Sequence, residues 1–352
     1  MERGKMPHVL YDCDKMKYRN TGLHTFNVCL VKALGEEGTR RGYIFSAFSL
    51  KKVIPFVRSA QIYPQSFWHR IFFWLPRRIK VWHSPFQFGK YSPITGQKVV
   101  LTIHDLNFLY EKEGRKTEKG LRILQKNINR ANHLVAISNF TKNDVLKHLD
   151  TKNKPFDVIY NGTVPIDPST VDDSLNLCDK EFLFTVSTIL PKKNMHVLPC
   201  LLVENEYELI IAGNLSPYTE KIMEEAELYG VSDRVRIVGP VEESEKNWYL
   251  KHCKAFLFPS IAEGFGIPVI EAMNFGKPIF LSQHTCLPEI GGDYCYYFNY
   301  DFDRKLMQKE FQEGMADFEK KGNPQRIIAY SKQFSWEKAA REYWDIYEKL
   351  MN

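Results

Sequence analysis

The chain has 352 residues, 44% of them hydrophobic, and a formal net charge of +6. That length carries two domains of ordinary size, each with its own core, and no run approaches the roughly 18 to 20 apolar residues that span a bilayer. The opening MERGKMPHVLY lacks the apolar segment of a signal peptide. Seven cysteines (Cys13, Cys29, Cys178, Cys200, Cys253, Cys286 and Cys295) form no C-x-x-C pair, which points to reduced thiols rather than a disulfide frame or a zinc site. A cytoplasmic protein is expected, in which the sequon Asn161-Gly162-Thr163 has no meaning for glycosylation.

In the first half, apolar runs alternate with helical patterns, as in a doubly wound α/β domain. HVLY (His8 to Tyr11) reads as a buried strand. Gly22 then opens a helical pattern in which Leu23, Phe26, Leu30 and Leu34 share one face. From Lys51 to His104 there are nine Lys or Arg residues and no Asp or Glu. Inside that stretch, FWHRIFFWLPRRIK (Phe67 to Lys80) interleaves five large aromatic rings with Arg70, Arg77, Arg78 and Lys80. Lys51 to Lys80 is expected to meet an anionic membrane surface, where basic residues and aromatic rings both favour the headgroup level; the alternative is that the rings pack in the core and the charges are solvated. No nucleic-acid module accompanies the charge.

VVLTI (Val99 to Ile103) is a β-branched strand that ends at His104-Asp105, and the C-terminal end of a buried strand is where α/β sheets place ligand groups. A lone strand-end histidine also suits a purely structural role. LVAI (Leu134 to Ile137) is the next strand, with Ser138 as N-cap of the following helix. FDVIYNG (Phe156 to Gly162) closes the first domain, and the Pro-, Asp-, Ser- and Thr-rich segment after it reads as a linker. The expected layout is an N-terminal domain over 1–165, a linker over 166–180, a second domain over 181–332, and a helix over 333–352 that crosses back to the first domain.

FLFTVST (Phe182 to Thr188) starts the second domain and runs into Pro191-Lys192-Lys193-Asn194. Two lysines at the end of a strand either neutralise a ligand's phosphates or form a solvated surface pair. ELIIAG (Glu208 to Gly213) and VRIVGPV (Val235 to Val241) are strands that end in glycine. AFLF (Ala255 to Phe258) is a fourth, and the chain must turn sharply after it. Gly264 and Gly266, on either side of Phe265, let backbone approach a ligand, and Pro268 marks a helix start whose free N–H groups and positive dipole end suit phosphate. Glu263 on the loop and Glu271 in the helix can both face one ligand, where carboxylates accept hydrogen bonds from hydroxyls. The same pair also reads as acids that complement the helix dipole. Finally, FSWEKAAREYWDIYEKLM has Ser335 as an N-cap before helically spaced apolar residues.

Glu263, seven residues, then Glu271, set within PSIAEGFGIPVIEAMNFGKPI, resembles the E-x7-E signature of the retaining glycosyltransferases of family 4. The resemblance implies the α/β GT-B fold, two Rossmann-like doubly wound domains facing a central cleft. By that likeness Glu263 contacts the donor sugar, Glu271 binds the ribose hydroxyls, and His104 projects toward the sugar near its anomeric carbon. The words P-K-K-N resemble the family's P-R-K-N, so Lys193 holds the diphosphate beside Lys192, and the turn from Gly239 to Val241 cradles the base. Gly264, Phe265 and Gly266 form the loop over the donor, and Gly22 stands at the family's first glycine loop. Two departures are visible: family members often carry two adjacent glycines where this chain has Gly22 alone, and many carry an arginine near the position of Thr188.

The function implied is transfer of a hexose, best read as mannose from GDP-mannose, to a glycan or lipid-linked acceptor in cell-surface polysaccharide or lipopolysaccharide synthesis. UDP-hexose transfer is the alternative, followed by a sugar-nucleotide epimerase or a non-catalytic scaffold of the same fold. No cofactor beyond the donor and no metal is expected, because Lys193 and the helix near Pro268 can supply positive charge beside the diphosphate. The expected place is the cytoplasm, peripheral on the inner face of the plasma membrane.

Overall fold

The computed structural model describes residues 8–17, 22–49, 61–70, 72–111 and 114–352. The chain falls into two compact units, residues 1–162 with 334–352, and residues 163–333. In the first unit seven described strands, all parallel, form one sheet: β1 (His8–Asp12), β2 (Ile44–Ser49), β3 (Gln61–Pro64), β4 (Ile79–Ser84), β5 (Lys98–Ile103), β6 (His133–Ala136) and β7 (Phe156–Val158), in the order β3-β2-β1-β4-β5-β6-β7. Parallel strands need crossovers that cover both faces, and α1 (Gly22–Arg41), α2 (Phe108–Glu111), α3 (Arg115–Arg130) and α4 (Asn139–His148) supply part of that cover. As predicted, Ser138 caps α4, its hydroxyl accepting from the Thr141 amide at 3.1 Å.

Leu10, Phe48, Trp82 and Leu101 point to one face of the sheet, where they meet Leu124 and Ile128 of α3, Val145 of α4, and Phe73, Leu75 and Tyr91 from irregular chain. On the other side α1 packs against the C-terminal helix, Trp336–Met351. The contact is close because residue 38 is glycine: a Cβ there would lie 2.4 Å from the Trp344 ring. Trp344 donates its indole N–H to the Leu34 carbonyl at 2.8 Å, and Arg41 pairs with Asp345 and Glu348 at 2.7 and 3.0 Å. Beneath the helix, Tyr347 Oη bonds His83 Nδ1 at 2.6 Å, His83 Nε2 bonds Thr102 Oγ1 at 2.8 Å, and Thr102 meets the Tyr343 hydroxyl at 2.8 Å. Buried polar groups are thereby satisfied where helix meets sheet.

The second unit holds a parallel sheet of β8 (Phe182–Val186), β9 (Glu208–Ala212), β10 (Val235–Gly239), β11 (Ala255–Phe258), β12 (Ile279–Leu281) and β13 (Tyr296–Tyr297), ordered β10-β9-β8-β11-β12-β13. Side chains alternate across it. Leu183, Leu209, Ile211 and Leu257 join one core with Met195, Leu198 and Ile222. Their neighbours Phe182, Phe184, Ile210, Phe256 and Phe258 join a second with Trp248, Val269 and Met273. Six helices complete the unit: α5 (Thr219–Leu228), α6 (Glu243–His252), α7 (Ile267–Met273), α8 (Leu287–Gly291), α9 (Arg304–Lys321) and α10 (Pro324–Ser331).

Residues 166–180, expected as a linker, lie within this second unit, where Ile166, Val171, Leu175 and Leu177 pack on its core. Asp167 and Asp172 cap two single 3-10 turns, which tie the polar residues of this segment to its own backbone. Cys13, Cys200, Cys253 and Cys286 are buried thiols. Among the described residues no helix is long and apolar enough to cross a membrane.

Candidate functional site

In the second unit the strand order turns back between β8 and β11, so the loops that leave their C-terminal ends open side by side, the arrangement in which α/β sheets hold ligands. After β8 the chain enters a 3-10 turn, Pro191–Lys193, and then a 3-10 helix, Met195–Leu202, with Asn194 in the left-handed conformation between them. The Lys192 carbonyl is fixed from the β11 loop, accepting from the Ile261 amide at 2.9 Å and the Ser260 hydroxyl at 3.1 Å. That lock brings Lys193 onto Glu263. The two form an ion pair, each side chain 13% exposed, and the ammonium also lies 5.4 Å from the centre of the Phe258 ring.

Glu263 is held at its backbone as well: its amide donates to Thr285 Oγ1 at 3.2 Å, and its carbonyl accepts from Cys286 Sγ at 3.5 Å. The loop then closes through Gly264 and a buried Phe265 ring. Gly266, at φ +94°, is the N-cap of α7, a conformation L-residues avoid, and its absent Cβ leaves room for the Leu287 side chain 2.9 Å from where it would stand. The helix predicted at Pro268 begins at Ile267 and is a short one of seven residues.

Glu271 does not join the Lys193 pair. Its carboxylate takes Lys246 of α6 at 2.9 Å, and Lys246 also reaches Glu243 at 3.0 Å. Burial opposes the Lys246 charge, but Glu271 and Glu243 outweigh it and hold its pKa above the ordinary lysine value. Sequence reading missed Lys246. A single lysine in ESEKNWYLKH carries no motif, and only the packing of α6 beside α7 reveals its partner. At the end of β10, Gly239 has φ +77° and accepts from the Gly213 amide at 2.7 Å. A Cβ at Gly239 would meet nothing within 4 Å although the residue is buried, and Val241 packs partly on the core.

The first unit presents His104 just past β5. The ring is 7% exposed, edge-on to Phe26 at 4.5 Å between centroids, and its Nε2 bonds the Pro85 carbonyl at 2.8 Å. A carbonyl only accepts, so Nε2 carries the proton and Nδ1 is left as an acceptor. Burial holds the imidazole neutral, lowering its pKa to about 4 against the opposing pull of the Pro85 bond. Gln87 and Thr141 fix the backbone of His104, at 3.1 Å from its amide and carbonyl respectively. Asp105, the next residue, accepts from the Asn107 amide at 3.0 Å. Gly22 is the exposed first residue of α1, with open space where a side chain would stand.

Two sequence families account for both units. The model of the glycosyl transferases group 1 matches residues 170–342, and that of glycosyltransferase family 4 matches residues 30–165. This chain belongs to the family 4 glycosyltransferases. The family 4 chain is 30% identical over 281 residues to the serotype-specific mannosyltransferase WbdA of Escherichia coli, an alignment over 72% of this chain and 34% of WbdA. It thus spans about a third of that relative's length. The O-antigen chain mannosyltransferase B of Escherichia coli is 23% identical over 291 residues, 77% of this chain and 74% of that protein. The fold is GT-B: sucrose-phosphate synthase from Thermosynechococcus elongatus superposes with a TM-score of 0.76 at 16% identity, covering 98% of this chain and 99% of its own.

Among the described residues no cluster of three or more His, Cys, Asp or Glu side chains is arranged to hold a metal ion.

Proposed function

We propose that this protein transfers mannose from GDP-mannose to a hydroxyl of a glycan or lipid-linked acceptor in surface-polysaccharide synthesis, with the anomeric configuration retained. The observation that carries the reading is the pairing of Lys193 with Glu263 at the point where the second sheet reverses its order. A half-buried ion pair is costly to break by removing one partner, because the other charge is left uncompensated. A nucleoside diphosphate sugar can divide this pair without that loss: its phosphates take Lys193, and its sugar hydroxyls donate to Glu263. Glu271, held by Lys246, then accepts from the ribose, and the turn from Gly239 to Val241 meets the base.

In the transfer, the bond from the anomeric carbon to the leaving phosphate oxygen breaks while one to the acceptor oxygen forms on the same face. The acceptor proton passes to the leaving phosphate. Lys193, with Lys192 beside it, offsets the negative charge that grows on the diphosphate. Neutral His104 offers Nδ1 as an acceptor for a hydroxyl. In this reading lysine charge serves where other transferases use a divalent ion. The mannosyltransferase relatives favour mannose over glucose or galactose as the sugar. With a lipid-linked acceptor, the reaction runs at the inner face of the plasma membrane.

The test is thermal unfolding with GDP-mannose, GDP, UDP-glucose, UDP-N-acetylglucosamine and UDP, since a ligand at 100 times its Kd adds about 2.7 kcal/mol of apparent stability. GDP and GDP-mannose are expected to raise the Tm, with the rise lost in Lys193→Ala. A response to uridine compounds alone would replace the donor, and no response to any nucleotide would overturn the reading.

A further inference from the structure

Among its described residues, the connection from β3 to β4 holds one 3-10 turn, Phe67–Arg70, and a run without helix from Phe72 to Pro76. Over Phe72 to Leu75 the chain alternates: Phe73 and Leu75 are buried in the core, and Phe72 and Trp74 are 63% and 55% exposed. That alternation is fixed. Phe73 packs on Phe48 and Trp82, its carbonyl accepts from the Ile94 amide at 3.2 Å, and Leu75 is stapled to Thr95 through its amide at 3.0 Å and its carbonyl at 3.2 Å. The Phe72 amide bonds the Trp68 carbonyl at 2.8 Å. Trp68 at 71% exposure, Phe72, Trp74 and Ile94 at 59% thus form one outward apolar group on a rigid support.

Basic charge borders it. Arg77, Arg78 and Lys80 follow Pro76 and are exposed, Lys90 is exposed on the facing loop, and the sequence has no acidic residue between Lys51 and His104. Lys51 to Ala60 and Ile71 lie outside the described residues, so the surface rests on Trp68 to Ile94. We propose that this surface docks the protein on an anionic lipid bilayer. Indole and phenyl rings at this height suit the headgroup level, the arginines suit lipid phosphates, and the absence of acid removes the repulsion such a membrane would exert. A protein partner would need complementary acids to match the arginines, whereas an anionic bilayer presents that charge everywhere. The docking stands on this surface alone, so it and the GDP-mannose reading fail separately.

Vesicle flotation of the full chain tests it. The protein is expected to float with phosphatidylcholine vesicles containing about one-third phosphatidylglycerol and not with phosphatidylcholine alone, and to be released by about 0.5 M salt, which shortens electrostatic reach to a few Å. Arg77→Gln with Arg78→Gln should weaken partitioning about 30-fold, at the roughly fivefold per basic residue expected near an anionic surface. Trp68→Ser with Phe72→Ser and Trp74→Ser should abolish it, with an unchanged Tm because the replaced rings are exposed. In the unsubstituted protein, brominated lipid should quench tryptophan emission. Failure to float with anionic vesicles, or flotation unchanged in both variants, overturns the proposal. So does a dimer in sedimentation that only the aromatic variant dissolves, which would give the surface to a second copy of the chain.

Discussion

At 14% side-chain exposure, the Lys246 ammonium sits between one partly buried acid, Glu271, and one exposed acid, Glu243. Removing it leaves the Glu271 carboxylate half-buried without its cation, and hydrogen bonds to charged groups are worth about 1.5–3 kcal/mol. Lys246→Met is therefore expected to weaken GDP binding about tenfold or more in titration calorimetry. The selectivity for GDP over its 2′,3′-dideoxy analogue should shrink as well, a readout that a merely structural lysine would not move. Equal affinities in variant and parent would remove Lys246 from the site. Glu263 and Glu271 were legible because a motif spaces them along one loop and helix. Lys246 was not, since its meaning comes from a partner 25 residues away that only the packing of α6 and α7 supplies.

At the scale of elements, the turn between β9 and the loop beyond it depends on one missing side chain. Gly213 has φ +139°, and a Cβ there would stand 1.7 Å from the Ser187 carbonyl oxygen, which follows β8. Gly213→Ala should therefore cost about 2–4 kcal/mol in urea unfolding, through a strained backbone and a clash with main chain. Gly230 is the control: its φ is +66° with nothing within 4 Å of the Cβ, so Gly230→Ala should cost only the left-handed penalty of about 1–2 kcal/mol. Equal losses would refute the clash. Runs with continuous apolar character, such as β5, β6, β8, β9 and β11, could be read from sequence, because strands buried on both faces need no polar alternation. β4 was hidden inside the basic aromatic stretch, since Lys80 interrupts its apolar run and its aromatic neighbours read as one surface. Helix α3 was missed for a related reason: only Leu124 and Ile128 are buried on it, a stripe too narrow to stand out among its charges.

For the whole molecule, buried ionisable groups set a pH window. Burial lowers the pKa of His83 to about 3 and, first among its causes, those of His8, His104 and His196 to about 4. Each imidazole is charged more readily in the unfolded chain, so its contribution is whole above about pH 6.5 and is lost as pH falls toward 4. Asp12 acts the other way. Burial raises its carboxyl to about 7, so stability is lost as pH rises from about 4 to 7 and the unfolded chain ionises first. Asp12→Asn, which keeps an oxygen for the Asp14 amide, should raise the Tm at pH 8, leave it unchanged near pH 4, and steepen the acid-side fall. A Tm raised equally at both pH values would show that the Asp12 charge is not the cause.

The C-terminal helix has a further consequence, which concerns how the chain is made. Its tyrosines complete the buried network around His83, and its Trp344 fills the space left by Gly38, so the first unit is built from segments separated by the whole of the second. During synthesis the residues of the second unit emerge together and can fold as they leave the ribosome. The first unit, though translated earlier, must wait with α1 and one sheet face uncovered until that helix arrives. The usual order, in which the N-terminal domain folds first, is reversed here. The interval during which apolar surface stays open to chaperones, or to a neighbouring nascent chain, lasts for the translation of the 171 residues between them.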